Sequence, residues 1–465
     1  MPVTTARRRR LILAICCMSL FIVGLDNTIV NVALPSIRTD LHASVSALQW
    51  TIDGYTLVLA SLLMLSGSTA DRVGRARVFT IGLTLFGIGS IACGLAPSVG
   101  VLIACRVVQA VGGSMLNPVA MSIIRETFDD PRERARAIGV WAGVVGLSFG
   151  LGPVLGGLLV DTVSWRAIFL VNVPVAVAAI VLTRRFVPES RAARPRRLDP
   201  VGQLLVLVAL AGLTTAVIEG PRTGWGSPVI LGCLAASAVA VAVLVPYEHR
   251  RRDPLIELAA FRSVPFSSAT LIAISAFLGM SGFLFLTTLY LQDVRGLSPL
   301  VAGLCLLPTA VMVAVGGPLS GRIVGGRRGA RPPLVVGGLG IGLGALMLTG
   351  VTPTTSMAWL LLAFAVFGVG FGVVNPPITN AAVAGLPAAQ AGVAAAVAST
   401  SRQVGASLGV AIVGSAGVAA SGTGAQLAAA SHVGWWIVAA AGALVLVLGV
   451  VATTPRALAT ARRVA

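Results

Sequence analysis

Lysine is absent from the 465-residue chain, whose 34 basic residues are all arginine. A Walker P-loop needs a lysine on the nucleotide phosphates, so an ATP-driven pump carrying its own nucleotide domain is excluded. Charge of either sign is sparse: 11% of residues are charged, against about 25% in a soluble domain. Histidine occurs only as His42, His249 and His432, all in predicted loops. The two G-x-S-x-G matches, GLSFG (146–150) and GASLG (405–409), lie mid-helix. They lack the histidine partner and strand-turn-helix setting of a nucleophile elbow, and an enzymatic reading is set aside. The six cysteines, Cys16, Cys17, Cys93, Cys105, Cys233 and Cys305, fall inside apolar runs, where free cysteine behaves as a small hydrophobe. With neither a disulfide framework nor metal-ligand spacing, no cofactor and no metal are expected.

What remains is apolar. Hydrophobic residues make up 56% of the chain and the mean hydropathy is +0.93, which describes an all-α polytopic membrane protein. The 54 glycines suit helices that approach closely in lipid, where small residues set the packing. A span needs about 20 mostly apolar residues. That rule predicts fourteen, near 11–33, 48–68, 78–96, 100–122, 137–160, 166–185, 200–219, 228–247, 266–290, 300–321, 333–351, 357–377, 393–418 and 433–454. The net charge of +18 is distributed as topology rather than as a nucleic-acid footprint, since the arginines cluster between spans. With the N-terminus in the cytoplasm, 28 arginines fall in inner segments and only Arg38, Arg166, Arg222 and Arg295 in outer ones. The expectation is a plasma (inner) membrane protein with both termini cytoplasmic. The apolar run after MPVTTARRRR is too long for a signal sequence and is taken as the first span.

A faint repeat runs through the chain. GSTADRVGRAR (67–77) is echoed by GPLSGRIVGGRR (317–328), and MLNPVAMSII (115–124) by VVNPPITNAA (373–382). Repeated bundles are how many transporter folds are built. The expected division is a six-helix bundle over 1–185, an insert over 186–265 with two extra spans bounded by ESRAARPRRLD and EHRRRDPLIELAAFR, and a second six-helix bundle over 266–465.

Three ionisable residues stand out inside predicted spans. Asp26 interrupts the run LFIVGLDNTIVNVALPSI, and a charge at the centre of a membrane helix costs about 2.5 to 3.5 kcal/mol on insertion scales. At about 1.5 Å of rise per residue, Asp26 in span one, Asp53 in span two and Arg106 in span four fall at one depth, in the outer third. Burial and a neighbouring guanidinium act oppositely on a carboxylate's proton affinity. A rearrangement that alters the carboxylate–Arg106 distance would therefore load or release a proton. A static buried ion pair that only fixes helix packing is the structural alternative, and for Asp53 a second alternative is contact with interfacial water.

These segments resemble a known family. LDNTIVNVALP (25–35) is similar to the first-helix signature of the fourteen-span drug:proton antiporters of the major facilitator superfamily. GSTADRVGRAR resembles the superfamily's loop motif, with Gly67, Asp71, Arg72, Gly74 and Arg75 in place and Ala76 where a second basic residue is usual. RVVQAVGG (106–113) resembles the fourth-helix motif, with Ala110 for a glycine. SFGLGPVLGG (148–157) resembles the fifth-helix motif associated with export, with Gly152, Pro153, Gly156 and Gly157 present and Ser148 for a leading glycine. Further likeness in IEGPRTGW, YLQDVRGLSPLVAGL and SRQVGASLG extends over nearly the whole chain.

The resemblance implies a major-facilitator-type fold and a proton-coupled exporter of hydrophobic, drug-like or antibiotic compounds, cationic ones included, working as a monomer by alternating access. A transporter of another small molecule, such as a metabolite, peptide or lipid-like substrate, or an uptake symporter, is the alternative, because direction does not follow from charge and spacing. Independently of the name, Asp71 could accept from the N-terminal amides of a neighbouring helix, and Arg72 and Arg75 could pair with acids or helix ends, locking an inner gate. Gly152 and Pro153 suit a bend or a tight crossing. A cavity between halves would draw on Asn31, Trp50, Tyr55, Gln109, Asn117, Trp141, Tyr290, Asn375 and Arg402. Glu219, at the outer end of the insert, is expected to face water.

Overall fold

The computed structural model describes residues 6–128, 130–192, 198–251, 258–326, 329–383, 391–417 and 424–464. Among these residues the chain is helical, without strands. In order the helices are α1 (Ala6–Asp40), α2 (Val45–Val73), α3 (Arg75–Gly94), α4 (Val99–Thr127), α5 (Pro131–Thr162), α6 (Ala167–Phe186), α7 (Pro200–Thr223), α8 (Pro228–His249), α9 (Val264–Val294), α10 (Pro299–Val324), α11 (Arg331–Leu346), α12 (Met357–Val383), α13 (Ala391–Gly417), α14 (Gly424–Ala452) and α15 (Pro455–Val464). Both basic stretches bounding the insert, Arg327 and Arg328 of the second loop segment, and residue 418 of an expected span lie partly or wholly outside the described residues.

Local chemistry sets the ends of these helices. Ser44 Oγ accepts from the Ala47 amide at 3.2 Å, and Asp130 Oδ1 accepts from Arg132 and Glu133 at 2.9 and 2.8 Å, satisfying first-turn donors that have no partner within the helix. Proline opens α5, α7, α8 and α10, where its missing N–H costs nothing.

Twelve of the described helices, α1–α10, α12 and α14, are long and apolar enough to cross a membrane. The fourteen expected spans are therefore not reached by length and composition. α11 has 16 residues, and its chain continues in a tighter winding, Leu348 N donating to Ala345 O at 2.9 Å and Val351 N to Leu348 O at 3.3 Å. The apolar run of α13 is broken by Ser399, Thr400, Ser401, Arg402 and Gln403.

α1–α6 pack on one another, as do α9–α14, and the two sets meet chiefly where α2 meets α13 and α5 meets α10. The first set has a core around Tyr55, Phe79 and Phe86. The second is built on Phe283, stacked on Phe367 at 4.2 Å and edge-on to Phe364 at 5.3 Å. α7 and α8 pair with each other, and α7 also lies against α2 and α13. At the end where α1 finishes, the two sets are stitched together. Arg38 pairs with Asp293 at 3.4 Å, Gln292 Nε2 donates to Val32 O at 2.8 Å, and Leu300 N donates to Asp161 Oδ2 at 3.0 Å. Gln292 and Asp293 lie in the π-helical last turn of α9, a widening often found at functional positions.

Candidate functional site

The centre of the first set holds a buried polar network in a stretch of sequence that is otherwise apolar. Asp26 on α1 is 0% exposed and Arg106 on α4 is 1% exposed, and Arg106 Nη1 meets Asp26 Oδ2 at 2.5 Å. The other carboxylate oxygen accepts from Gln109 Nε2 at 2.9 Å and from Asn172 Nδ2, on α6, at 3.2 Å. Arg106 also donates to Gln109 Oε1 at 2.6 Å and, through Nε, to the Thr51 carbonyl at 3.1 Å. Its guanidinium lies 4.1 Å from the centroid of the Tyr55 ring, a favourable cation–π placement. Gln109 Nε2 reaches Ser90 Oγ at 2.9 Å. Gly89 lets α4 come this close, since a Cβ there would sit 2.7 Å from the Gln109 Cα.

A buried ion pair survives desolvation only when further hydrogen bonds satisfy its atoms, and here Thr51 of α2, Gln109 of α4 and Asn172 of α6 supply them. Ser90 of α3 in turn holds Gln109. An intramembrane ion pair enclosed in this way is the kind of group that marks a functional site in a membrane protein.

Asp53 is equally buried but stands apart. It is two residues from Tyr55, about 200° around the helix, so it faces away from Arg106 and toward Ser407 of α13. Among the described residues neither of its oxygens has a hydrogen-bond partner of normal geometry. The predicted common depth therefore does not place Asp53 in the Asp26–Arg106 network: Asp53 lies on the seam between the two sets.

The loop-motif residues form a second cluster at the opposite end of α2. Arg75 binds Asp71 Oδ1 through Nε and Nη2 at 3.1 and 3.0 Å and pairs with Glu126 of α4. Asp71 is not the acid on the helix amides. Glu189, after α6, takes that position, accepting from Ala76 N and Arg77 N at 3.1 Å each. Gly74 turns the chain at φ 128°, and a Cβ there would lie 2.6 Å from the Glu189 carboxyl, so glycine is needed on both counts. Arg72 is also engaged, and Gly67 packs against Pro118.

The fifth-helix motif makes a backbone-to-backbone crossing. Cβ atoms on Gly156 and Gly157 would strike Ile29 of α1 at 2.7 Å and Leu300 of α10 at 2.6 Å, and one on Gly303 would strike the Pro153 carbonyl carbon at 2.8 Å. Gly152 packs on the Thr28 side chain, whose Cβ would lie 2.9 Å from an added Cβ.

The expected cavity residues scatter. Tyr55 and Gln109 belong to the buried network. Trp50 Nε1 donates to Glu219 Oε1 at 3.1 Å, so the half-buried Glu219 holds the insert to α2 instead of standing in water. Tyr290 OH is tied to the Thr352 carbonyl at 2.6 Å, and Arg402 Nη2 to Thr379 Oγ1 of α12 at 2.6 Å, one turn from Asn375. Asn31 Nδ2 bonds back to Asn27 O at 3.1 Å. Asn31 Oδ1, Asn117 Oδ1 and Trp141 Nε1 are buried without hydrogen-bond partners among the described residues. Asn172, Ser90, Glu189 and Gln49 are hydrogen-bonding members of these clusters that the sequence reading missed. Gln49 Nε2 crosses the seam to Val410 O and Ala411 O at 3.0 and 3.1 Å. Among the described residues no group of three His, Cys, Asp or Glu side chains is placed to hold a metal ion.

Residues 16–410 match the family model of the Major Facilitator Superfamily. The chain belongs to that superfamily. It is a transporter, not an enzyme. The superfamily member is 40% identical over 398 residues to the multidrug resistance protein Stp of Mycobacterium tuberculosis, covering 86% of this chain and 74% of that protein. It is also 40% identical to the tetracenomycin C resistance and export protein of Streptomyces glaucescens, covering 85% and 74%. It is 35% identical to the multidrug efflux pump LfrA of Mycolicibacterium smegmatis, covering 88% and 81%. Among solved structures the fold matches a peptide transporter POT in complex with sulfate at TM-score 0.68 and 17% identity, over 97% of this chain and 94% of that one.

Proposed function

We propose that this transporter is a proton-coupled antiporter that exports hydrophobic, drug-like or antibiotic compounds, cationic ones among them, from the cytoplasm. The observation that carries the reading is the Asp26–Arg106–Gln109–Asn172 network, fully buried among helices that cross the membrane. Asp26 takes up and gives back the proton, Arg106 sets its affinity, and Asp53 shares the task or attracts a cationic substrate. Stp is a multidrug resistance protein, LfrA a multidrug efflux pump and the Streptomyces glaucescens relative a resistance and export protein, and these likenesses support export over uptake.

The cycle is alternating access between two six-helix bundles, 1–185 and 266–465, with residues 186–265 as a two-helix insert. α11 and α13 complete fourteen crossings, and both termini lie in the cytoplasm of a plasma-membrane monomer. In that orientation the Arg38–Asp293, Gln292–Val32 and Gln49–Val410 contacts close the outer side. The Asp71–Arg75–Glu126 cluster and Glu189 stiffen the inner end of the first bundle. The Gly152–Gly157 crossing is the pivot, and Asn31, Trp141, Asn117, Asn375 and Arg402 are candidates for the substrate wall. Inverted membrane vesicles test direction: an imposed gradient, acid inside, drives accumulation of an exported compound, and accumulation only under the reverse gradient overturns export.

A further inference from the structure

The inserted helix α7 lies across the seam between the bundles. Ser415 Oγ of α13 donates to the Val217 carbonyl of α7 at 2.9 Å. Trp50 of α2 donates to Glu219 of α7 at 3.1 Å, and Gln49 Nε2 of α2 reaches Ser415 Oγ at 3.3 Å. One to two turns deeper on the same three helices stand Asp53, Ser407 and Thr214. Ser407 and Thr214 line a cavity of about 10 Å³ whose other walls, Leu57, Ala60, Leu210, Val404 and Leu408, are apolar; Asp53 lies on the far side of Ser407 from it and does not line it. The cavity is on the scale of one water molecule, and water is retained where polar partners are present.

Asp53 faces Ser407, and both carboxyl oxygens and the Ser407 hydroxyl are buried without partners of normal hydrogen-bond geometry. Charged groups on the adjoining helices are engaged elsewhere. Asp26 and Arg106 bind each other behind α2, Glu219 holds Trp50, and Arg402 binds Thr379. An acid enclosed in this way works in a cycle only if its proton has a way out, and hydroxyl groups both accept and donate.

We propose that Ser407, one water in the cavity and Thr214 form the proton path of Asp53, so that the inserted helix contributes a wall and a hydroxyl to a proton-transfer site. The transfer balances: the Asp53 O–H bond breaks as a proton joins Ser407 Oγ, Ser407 releases its own hydrogen to the water, and the water passes one on toward Thr214. Thr214 Oγ1 takes that hydrogen and gives its own to solvent water when the seam between the bundles opens, so that every O–H bond lost is matched by one formed and the proton ends as hydronium. The inference rests on the reading that Asp53 exchanges protons during transport.

The test uses the full chain in proteoliposomes containing a trapped pH dye, with ethidium, a fluorescent hydrophobic cation, as substrate. Ethidium-elicited proton flux is compared for the wild type, Thr214→Val, Thr214→Ser, Ser407→Ala and Asp53→Asn, and for Thr214→Val combined with Asp53→Asn. Ethidium affinity is read by anisotropy. Loss of a relay hydroxyl is expected to slow the flux by about 10-fold or more with affinity unchanged. Thr214→Ser restores the flux, and Thr214→Val adds nothing to Asp53→Asn. Wild-type flux in Thr214→Val, a defect that serine does not rescue, or a defect that persists at full size in the Asp53→Asn background overturns the relay. If Asp53→Asn itself matches the wild type, the proton role of Asp53 falls and the relay falls with it; if Asp53→Asn is dead while Thr214→Val is normal, only the relay falls.

Discussion

Replacing Asp26 by Asn is the sharpest perturbation of this structure. The carboxylate accepts from Arg106, Gln109 and Asn172 at 2.5, 2.9 and 3.2 Å. Asparagine keeps one acceptor oxygen and turns the other position into a donor, which then confronts another donor. One charge-assisted bond, worth about 1.5 to 3 kcal/mol, is lost, and Arg106 is left 1% exposed with no counter-charge. Breaking a buried pair from one side costs about 3 to 5 kcal/mol, and that is the destabilisation expected for Asp26→Asn. Replacing both partners, Asp26→Asn with Arg106→Gln, removes the stranded cation and is expected to recover about half of it. Thermal unfolding in detergent, followed by intrinsic fluorescence, reads this part. Transport reads the other: neither variant can hold an exchangeable proton at position 26, so gradient-driven ethidium uptake into inverted vesicles falls to the protein-free background in both. Full transport by a well-inserted Asp26→Asn variant would refute the coupling role. Equal stability of the single and double variants would refute the argument that the stranded guanidinium sets the cost.

Other expectations follow from neighbouring features. Gly74→Ala combines a φ of 128° with a clash against Glu189 and is expected to lower the unfolding temperature more than Glu189→Gln, which keeps an acceptor on the Ala76 and Arg77 amides; parallel melting curves decide. Glu189→Ala removes that cap and is expected to cost about 0.5 to 2 kcal/mol, measured by denaturant midpoint. Gly303→Val places a branched side chain against the Pro153 backbone and is expected to reduce transport severely while ethidium still binds, so unchanged turnover would discount the crossing. In a background free of native cysteines, a bis-methanethiosulfonate reagent that spans the length of the lost arginine side chain is expected to link Arg38→Cys to Asp293→Cys and stop transport reversibly, reductant restoring it; cross-linking without inhibition would show that this end need not open.

Much of the scaffold was readable because its signals are periodic or positional. Long apolar runs located the helices, and counting rise per residue brought Asp26 and Arg106 to one level, where the structure joins them. Level says nothing of azimuth. Asp53 sits two positions before Tyr55 and so points to the other side of α2, a distinction that a depth count ignores. The partners of Asp26 were harder still: Asn172 is one polar residue in FLVNVPV and Ser90 one in FGIGSIACG, and neither differs locally from a side chain bonded to its own helix. Glu189 lies beyond the end of α6, so its place on the α3 amides depends on how α6 returns to α3. Length and composition reach twelve of the fourteen expected spans and stop short at α13, with Arg402 and its polar neighbours, and at the sixteen residues of α11.

The glycine crossing of α5 and α10 has a mechanical meaning. Backbone pressed on backbone offers no side chain to repack, so in the proposed cycle it would resist sliding and tolerate rotation, as a fulcrum does. It lies near one tip of α5, about 24 residues, or about 36 Å, from the other. A swing of about 10° there carries the far tip through about 6 Å by lever geometry, so a sub-ångström adjustment at the fulcrum is magnified into an aperture the width of an aromatic ring.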